Sequence, residues 1–167
     1  MRSKCVNHAR NVWERACKHL PRVDQFWFKY AYMEEMLGNN DNVRTIFSDW
    51  MTWNPPENAW NAFLKFEERL GDLDKCRKIL EKFIDVYPNV NSYIKAAKFE
   101  ESHRNRDQAR LFYERALAEL GHKAFDENFF IQFTKFEIRN KEYERAKILF
   151  RYALDNLSKD HSQRLYN

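Results

Sequence analysis

Glycine and proline are scarce in this chain: three and four in 167 residues. A fold built from many tight turns needs more of both, so a β-rich architecture is disfavoured. With glycine only at positions 38, 71 and 121, no Gly-rich phosphate cradle can form. The three cysteines (Cys5, Cys17 and Cys76) are odd in number and make no CxxC, which argues against a disulfide framework or a zinc ribbon and for reduced thiols in an intracellular protein. No run of 18 apolar residues is present and the amino-terminal MRSKCVNHARNVWER has no apolar signal core, so a soluble, non-secreted protein is expected, without a membrane partner. HExxH and GxSxG are absent, and the five histidines are scattered. No catalytic, cofactor-binding or metal-binding residue is therefore assigned; neither a cofactor nor a small-molecule substrate is expected, and the chain is not read as an enzyme. Twenty-nine basic residues stand against 25 acidic ones, a mild excess well short of a dedicated nucleic-acid module.

What the chain has in abundance is apolar and aromatic material, 44% and 16% of residues, arranged with a period. Trp27, Trp60 and Tyr93 are 33 residues apart and Phe130 follows after 37. Three residues after each anchor stand Tyr30, Phe63, Ala96 and Phe133; six after stand Met33, Phe66, Phe99 and Phe136; seven after stand Glu34, Glu67, Glu100 and Glu137. These offsets line one face of a helix, here termed helix A. A second stripe follows at offsets 16, 20 and 23: Val43, Phe47 and Trp50; Cys76, Leu80 and Phe83; Ala109, Tyr113 and Ala116; Ala146, Phe150 and Ala153. This is helix B. The segment ARNVWERAC, from Ala9 to Cys17, is a helix B with no helix A before it.

Punctuation agrees with the stripes. Gly38 and Gly71 suit the left-handed residue that ends a helix A, and the third and fourth turns are expected to use Asn105 and Asn140 for it. Pro21, Pro55 and Pro88 stop successive B helices, with Gly121 at the fourth equivalent. The extra residues of the fourth unit fall in GHKAFDEN, a loop between units. Two antiparallel helices cannot bury both apolar faces alone, so such pairs stack. The expected organisation is a single array over 1–167: an orphan helix B at 4–20, repeats at 24–54, 57–87, 90–120 and 125–157, and the start of a further repeat at 158–167. The expected fold class is all-α, a right-handed α-α superhelix.

Ten residues after each helix-A glutamate stands a cation near the start of helix B, giving the expected ion pairs Glu34–Arg44, Glu67–Arg77, Glu100–Arg110 and Glu137–Lys147 across each A–B turn. A group repeated in every unit is structural rather than catalytic. The anchors Trp27, Trp60, Tyr93 and Phe130 are expected in the core; the aromatics off the stripes (Phe28, Tyr32, Trp53 and Phe129) are candidates for partner contacts. The basic residues of the first helix (Arg2, Lys4, Arg10, Arg15, Lys18 and Arg22) are read as a solvated face, with contact to an acidic or phosphate-bearing partner as the alternative.

Helix B, with its small residues and terminal proline, is that of a tetratricopeptide repeat (TPR). Helix A is not, because Glu stands seven residues after the anchor in every unit; in this the chain resembles the half-a-TPR (HAT) repeat. The stretch LPRVDQFWFKYAYMEEMLGN (20–39), with ARNVWERA before it and Trp53, Pro55, Ala59 and Trp60 after it, closely resembles the crooked neck family of HAT-repeat pre-mRNA splicing factors. That resemblance implies a non-catalytic scaffold of the spliceosome in the nucleus, contacting proteins of the nineteen-complex type, with small nuclear RNA or pre-mRNA as a further contact. Family members are several times longer. The chain is accordingly read as a fragment or a reduced homologue, with apolar ends prone to self-association. The alternative reading is a HAT subunit of another RNA-processing complex, for 3′-end cleavage or ribosomal RNA maturation, touching RNA directly. An isolated adaptor of the tetratricopeptide kind is disfavoured by the repeated glutamate.

Overall fold

A computed structural model describes the backbone of residues 2–166 and the side chains of residues 4–157, Phe125 excepted in both. Among the described residues there are nine α-helices and no strand: α1 (Arg2–His19), α2 (Asp24–Met36), α3 (Asn40–Met51), α4 (Glu57–Leu70), α5 (Leu73–Val86), α6 (Val90–Ser102), α7 (Arg106–Leu120), α8 (Glu127–Arg139) and α9 (Tyr143–Tyr166). The fold is all-α, a succession of helical hairpins. Helices α2, α4, α6 and α8 carry the helix-A stripe; α1, α3, α5, α7 and α9 carry the helix-B stripe. Backbone contacts divide the chain into two compact units, Met1–Ile79 and Leu80–Asn167, with the boundary inside α5.

The core follows the stripes because they are the faces each helix can bury. In the first unit Cys17, Trp27, Tyr30, Val43, Phe47 and Trp50 form a continuous apolar cluster. Trp27 and Trp50 stack at 5.9 Å and 3°, and Phe28 meets Trp50 edge-on at 4.7 Å. The indole N–H of Trp27 donates to the Pro21 carbonyl at 3.0 Å, so the residue that stops α1 also satisfies a buried donor of α2. In the second unit Phe129, Phe130, Phe133 and Phe136 of α8 are all buried, and Phe129, Phe133 and Phe136 meet the Tyr113 ring of α7 at 4.8–6.0 Å. Between α7 and α8, residues Gly121–Ala124 form a 3-10 turn whose Ala124 is fully buried. This anchors part of what reads as a free loop in the sequence, and the α8 stripe beyond it stays buried.

All four A–B turns use one closing device. The backbone N–H five residues after each helix-A glutamate, on Asn39, Asp72, Asn105 and Glu142, donates to that glutamate's carbonyl at 2.9–3.2 Å. The carbonyl of the same residue then accepts the N–H of Val43, Cys76, Ala109 or Ala146, at 3.0–3.2 Å, and so starts helix B. The residue just before it must turn left-handed. Gly38 and Gly71 do so at φ +79°. In the third and fourth turns the left-handed residues are Arg104 (φ +63°) and Lys141 (φ +60°), not the expected Asn105 and Asn140. Repeat register, eleven residues after each anchor, overrides side-chain preference. The asparagines serve beside the bend: Asn105 Nδ2 donates to the Glu100 carboxylate at 3.1 Å and Asn140 Nδ2 to the Phe136 carbonyl at 2.9 Å.

Helix α9 runs as one helix through residues 158–166, the stretch expected to open a further repeat; the side chains there lie outside the described residues.

Candidate binding surface and the joints that shape it

Each helix A places its glutamate in its last turn, on the edge of the apolar stripe, and packing buries it. Glu34, Glu67, Glu100 and Glu137 are all 0–1% exposed. A carboxylate so buried needs a cation and further donors. The cation comes from a different place than the sequence suggests. Arg10 of α1 holds Glu34, with Nε–Oε1 at 2.5 Å and Nη2–Oε2 at 3.2 Å. Arg44 of α3 holds Glu67 at 2.8 and 3.4 Å. Arg110 of α7 holds Glu137 at 2.8 and 3.0 Å. The fork therefore joins helix B to the helix A that follows it, not to the helix A of its own pair. The expected pairs Glu34–Arg44, Glu67–Arg77 and Glu137–Lys147 are corrected accordingly, and Arg110, expected on Glu100, is instead on Glu137. The guanidiniums of Arg44 and Arg110 are given to the next repeat, and each leans back on an aspartate of its own first turn, Asp41 at 3.1 Å and Asp107 at 3.8 Å. Arg77 of α5 bonds Asp74 of its own first turn at 3.3 Å. Lys147 pairs with Glu144 at 3.6 Å on the surface.

The electrostatics follow from the geometry. Burial pushes the Glu34 carboxyl up, but hydrogen bonds from Arg10, Asn39 and Asn42 outweigh it and hold the group below the ordinary glutamate range. The Arg10, Arg44 and Arg110 guanidiniums are raised, first by the hydrogen bond to their glutamate.

The apolar half of the joint recurs as well. Phe47 of α3 stacks on Phe63 of α4 at 5.0 Å and 9°, and meets Phe66 at 6.1 Å. Tyr113 of α7 stacks on Phe133 of α8 at 4.8 Å and 5°, and meets Phe136 at 5.2 Å. Fork and stack together fix both the angle and the sliding position of the incoming helix.

Two further ties escaped the sequence reading. Arg69 of α4 forks onto Glu35 of α2 at 2.9 Å twice, and Arg139 of α8 onto Glu101 of α6 at 2.7 and 3.0 Å. They link one helix A to the next. A cation one repeat plus one residue after an acid was the available signal. Arg115 of α7 similarly takes Glu81 of α5 at 2.8 Å and lies over the Phe112 ring at 5.2 Å. Tyr93, whose phenol burial pushes up to about 12, donates to the Glu119 carboxylate.

The remaining candidates sort as follows. The anchors Trp27, Trp60, Tyr93 and Phe130 are buried. Of the off-stripe aromatics, Tyr32 and Trp53 are exposed, Phe28 is half-buried, and Phe129 is fully buried, which removes it as a partner contact. Of the basic group on the first helix, Arg10 is consumed by Glu34, Arg22 donates to the Trp53 carbonyl at 2.9 Å, and Lys18 pairs with Glu14 at 3.3 Å. Lys4 and Arg15 are exposed; the Arg2 side chain lies outside the described residues. In the first unit a groove of about 460 Å³ runs between α2, α3 and α4, floored by Phe28, Ala31, Phe47 and Ala62 and rimmed by Tyr32, the Glu35–Arg69 ion pair, Lys29 and Lys65, so that the two lysines leave the rim basic. Among the described residues no group of three or more His, Cys, Asp or Glu side chains could hold a metal ion, and no helix is long and apolar enough to cross a membrane.

A helix-A glutamate in every pair, on a TPR-like hairpin, defines the class, and comparison with known proteins agrees. The family profile described as PRP39 N-terminal HAT repeat matches residues 52–167. The chain belongs to the HAT-repeat family. Crystal structures of MamA share the fold, with TM-scores of 0.52 and 0.53 at 14% identity, covering 96% of this chain and 94% and 88% of those.

Within the family the chain stands in the crooked neck group. It is 60% identical over 139 residues to pre-mRNA-splicing factor clf-1 of Neurospora crassa (81% of this chain, 20% of that one). It is 50% identical over 54 residues to pre-mRNA-splicing factor cwf4 of Schizosaccharomyces pombe (32% and 8%), and 48% identical over 51 residues to protein crooked neck of Drosophila melanogaster (30% and 7%). The chain thus spans a fifth or less of the length of these relatives.

Proposed function

We propose that this chain is a scaffold segment of the pre-mRNA splicing machinery, working in the nucleus by holding other proteins and catalysing nothing. The observation that carries the reading is the 60% identity to a splicing factor across 81% of the chain. The geometry supports a scaffold role, because every fork described above ties one helix to another. Such ties give rigid spacing, which is what an assembly subunit contributes. Proteins of the nineteen-complex type are the proposed partners, and the groove between α2, α3 and α4 is the proposed contact in the first unit: its apolar floor and basic rim suit an apolar anchor on an acidic peptide.

The test is capture of partners from nuclear extract on the immobilised chain, with and without RNase, read by mass spectrometry. The expected result is splicing proteins retained after RNase. Loss of all partners on RNase treatment, or recovery of cleavage or ribosomal-maturation factors instead, would overturn it in favour of direct RNA contact in another complex.

A further inference from the structure

The fork between one helix A and the next frames the same face in both units, and the two faces carry different side chains. In the first unit Phe28, Tyr32 and Ala62 line the groove beside the Arg69–Glu35 fork. In the second unit, beside the Arg139–Glu101 fork, the equivalent positions hold Ile94, Lys98 and Gln132. Tyr32 is 66% exposed, and Lys98 is exposed in its place. Lys135 of α8 stands where Lys65 rims the first groove, and it too is exposed. Consecutive helices run antiparallel, so α6 and α8, which lie against each other, run the same way. Lys98 precedes Glu101 by one turn and Lys135 precedes Arg139 by one turn, which sets the two lysines side by side across the two helices. Neither makes an ion pair among the described residues. One turn before Lys98, Lys95 lies half-buried with its ammonium 4.8 Å from the Phe83 ring centroid. The acids of α6 and α8 do not answer these charges. Glu100 and Glu137 are buried, Glu101 is held by Arg139, and Glu127 is in the first turn of α8, two turns before Lys135.

We infer that this face of α6 and α8 is a docking site for an acidic, extended segment of a protein partner, with aspartate or glutamate at alternate positions and no apolar anchor. Alternate side chains of an extended chain are about 7 Å apart, within reach of long lysine stems rising from helix axes about 9 Å apart. An ammonium is a compact charge on a flexible stem, so two of them side by side suit successive carboxylates without imposing one geometry. A single-stranded nucleic acid fits less well. It is held by bases stacked on exposed rings as well as by phosphate contacts, and every aromatic ring of α6 and α8 is buried. The first unit, with its apolar floor and exposed Tyr32, suits an apolar anchor; the second has only charge to offer. The choice of a protein partner rests on the scaffold reading above; the placement of the lysines does not.

The test uses the whole chain and, as probe, a fluorescein-labelled peptide of about twelve residues in which glutamate and serine alternate. Fluorescence anisotropy should show saturable binding that weakens as salt rises. Lys98→Ala and Lys135→Ala together should weaken it roughly tenfold or more. A control pair, Lys82→Ala with Lys147→Ala, removes the same charge from α5 and α9, which carry the helix-B stripe, and should change binding less than about twofold. All four positions are exposed, and unchanged urea midpoints confirm that both variants fold. Absence of saturable binding, or equal weakening by the two pairs, would overturn the inference. So would tighter binding of an oligouridine of the same length that the Lys98→Ala, Lys135→Ala chain loses, because RNA would then be the occupant. These outcomes separate from those of the extract experiment: splicing proteins can be captured where the acidic probe fails, and the reverse.

Discussion

The α3–α4 joint of the first unit and the α7–α8 joint of the second share a plan and exchange their volumes. In the first, the receiving helix is bulky: Val43, Phe47 and Trp50 are all buried, and Trp50 alone stacks on Trp27 and Phe47 and takes Phe28 edge-on. In the second, the receiving helix offers Ala109 and Ala116, and the bulk sits on α8 as four buried phenylalanines. Side-chain volume can be supplied from either wall as long as the sum fills the space. What does not move between the joints is the arginine–glutamate fork and the parallel ring stack beneath it. Position is fixed by these; the rest of the core is filled to suit.

The comparison breaks most sharply at Trp50. Trp50 is fully buried against the rings of Trp27, Phe28 and Phe47, so Trp50→Ala should cost about 3–5 kcal/mol through lost burial and the cavity left, measured by urea unfolding. At the equivalent position of α7 stands Ala116, itself fully buried.

A smaller effect is expected with pH. The folded-state value of Glu34 lies below that of an unfolded glutamate, about 4.3. Its stabilisation is therefore complete above that value and is lost as pH falls through the lower folded one. Urea midpoints taken from about pH 6 down to pH 3 should fall more steeply for the natural chain than for Glu34→Gln.

The turns sharpen the comparison further. The first-unit turns use Gly38 and Gly71; the second-unit turns force Arg104 and Lys141 into the same left-handed backbone. Arg104→Gly and Lys141→Gly should each be neutral to stabilising by up to about 1 kcal/mol, the strain relieved being partly offset by glycine's unfolded-state freedom. Gly38→Ala and Gly71→Ala should destabilise by a similar amount, as thermal midpoints would show.

The smallest effect is at the stacked ring itself. The Tyr113 hydroxyl is buried without a hydrogen-bond partner, whereas Phe47 has no such group. Tyr113→Phe should leave stability unchanged or raise it by under about 1 kcal/mol, again by urea unfolding.

Much of this was readable in the sequence. A 33-residue period, stripes at fixed offsets and prolines after each helix B give the hairpins and their buried faces, because burial of an amphipathic face is what a period of 3.6 encodes. The partner of each glutamate was not readable from spacing. In a repeat, a cation ten residues after every acid is equally a cation about 23 residues before the next one, and only packing tells the two apart. The left-handed residues were misread for a related reason: asparagine's preference was weighed above repeat register, and register decided. Phe129 reads as surface because it lies beside the stripe, but it is fully buried, with Tyr113 at 6.0 Å and Phe130 edge-on at 5.5 Å.

The central claim is that Glu34, Glu67 and Glu137 each belong to the helix B before them. Arg44 can test this directly, since it lies ten residues after Glu34 and 23 before Glu67. Two double-mutant cycles on stability, one replacing Arg44 and Glu67 and the other Arg44 and Glu34, should differ clearly. A coupling of about 1 kcal/mol or more is expected for Arg44–Glu67, and less than about 0.5 kcal/mol for Arg44–Glu34. Coupling confined to Arg44–Glu34 would contradict the account and return the fork to a single helix pair.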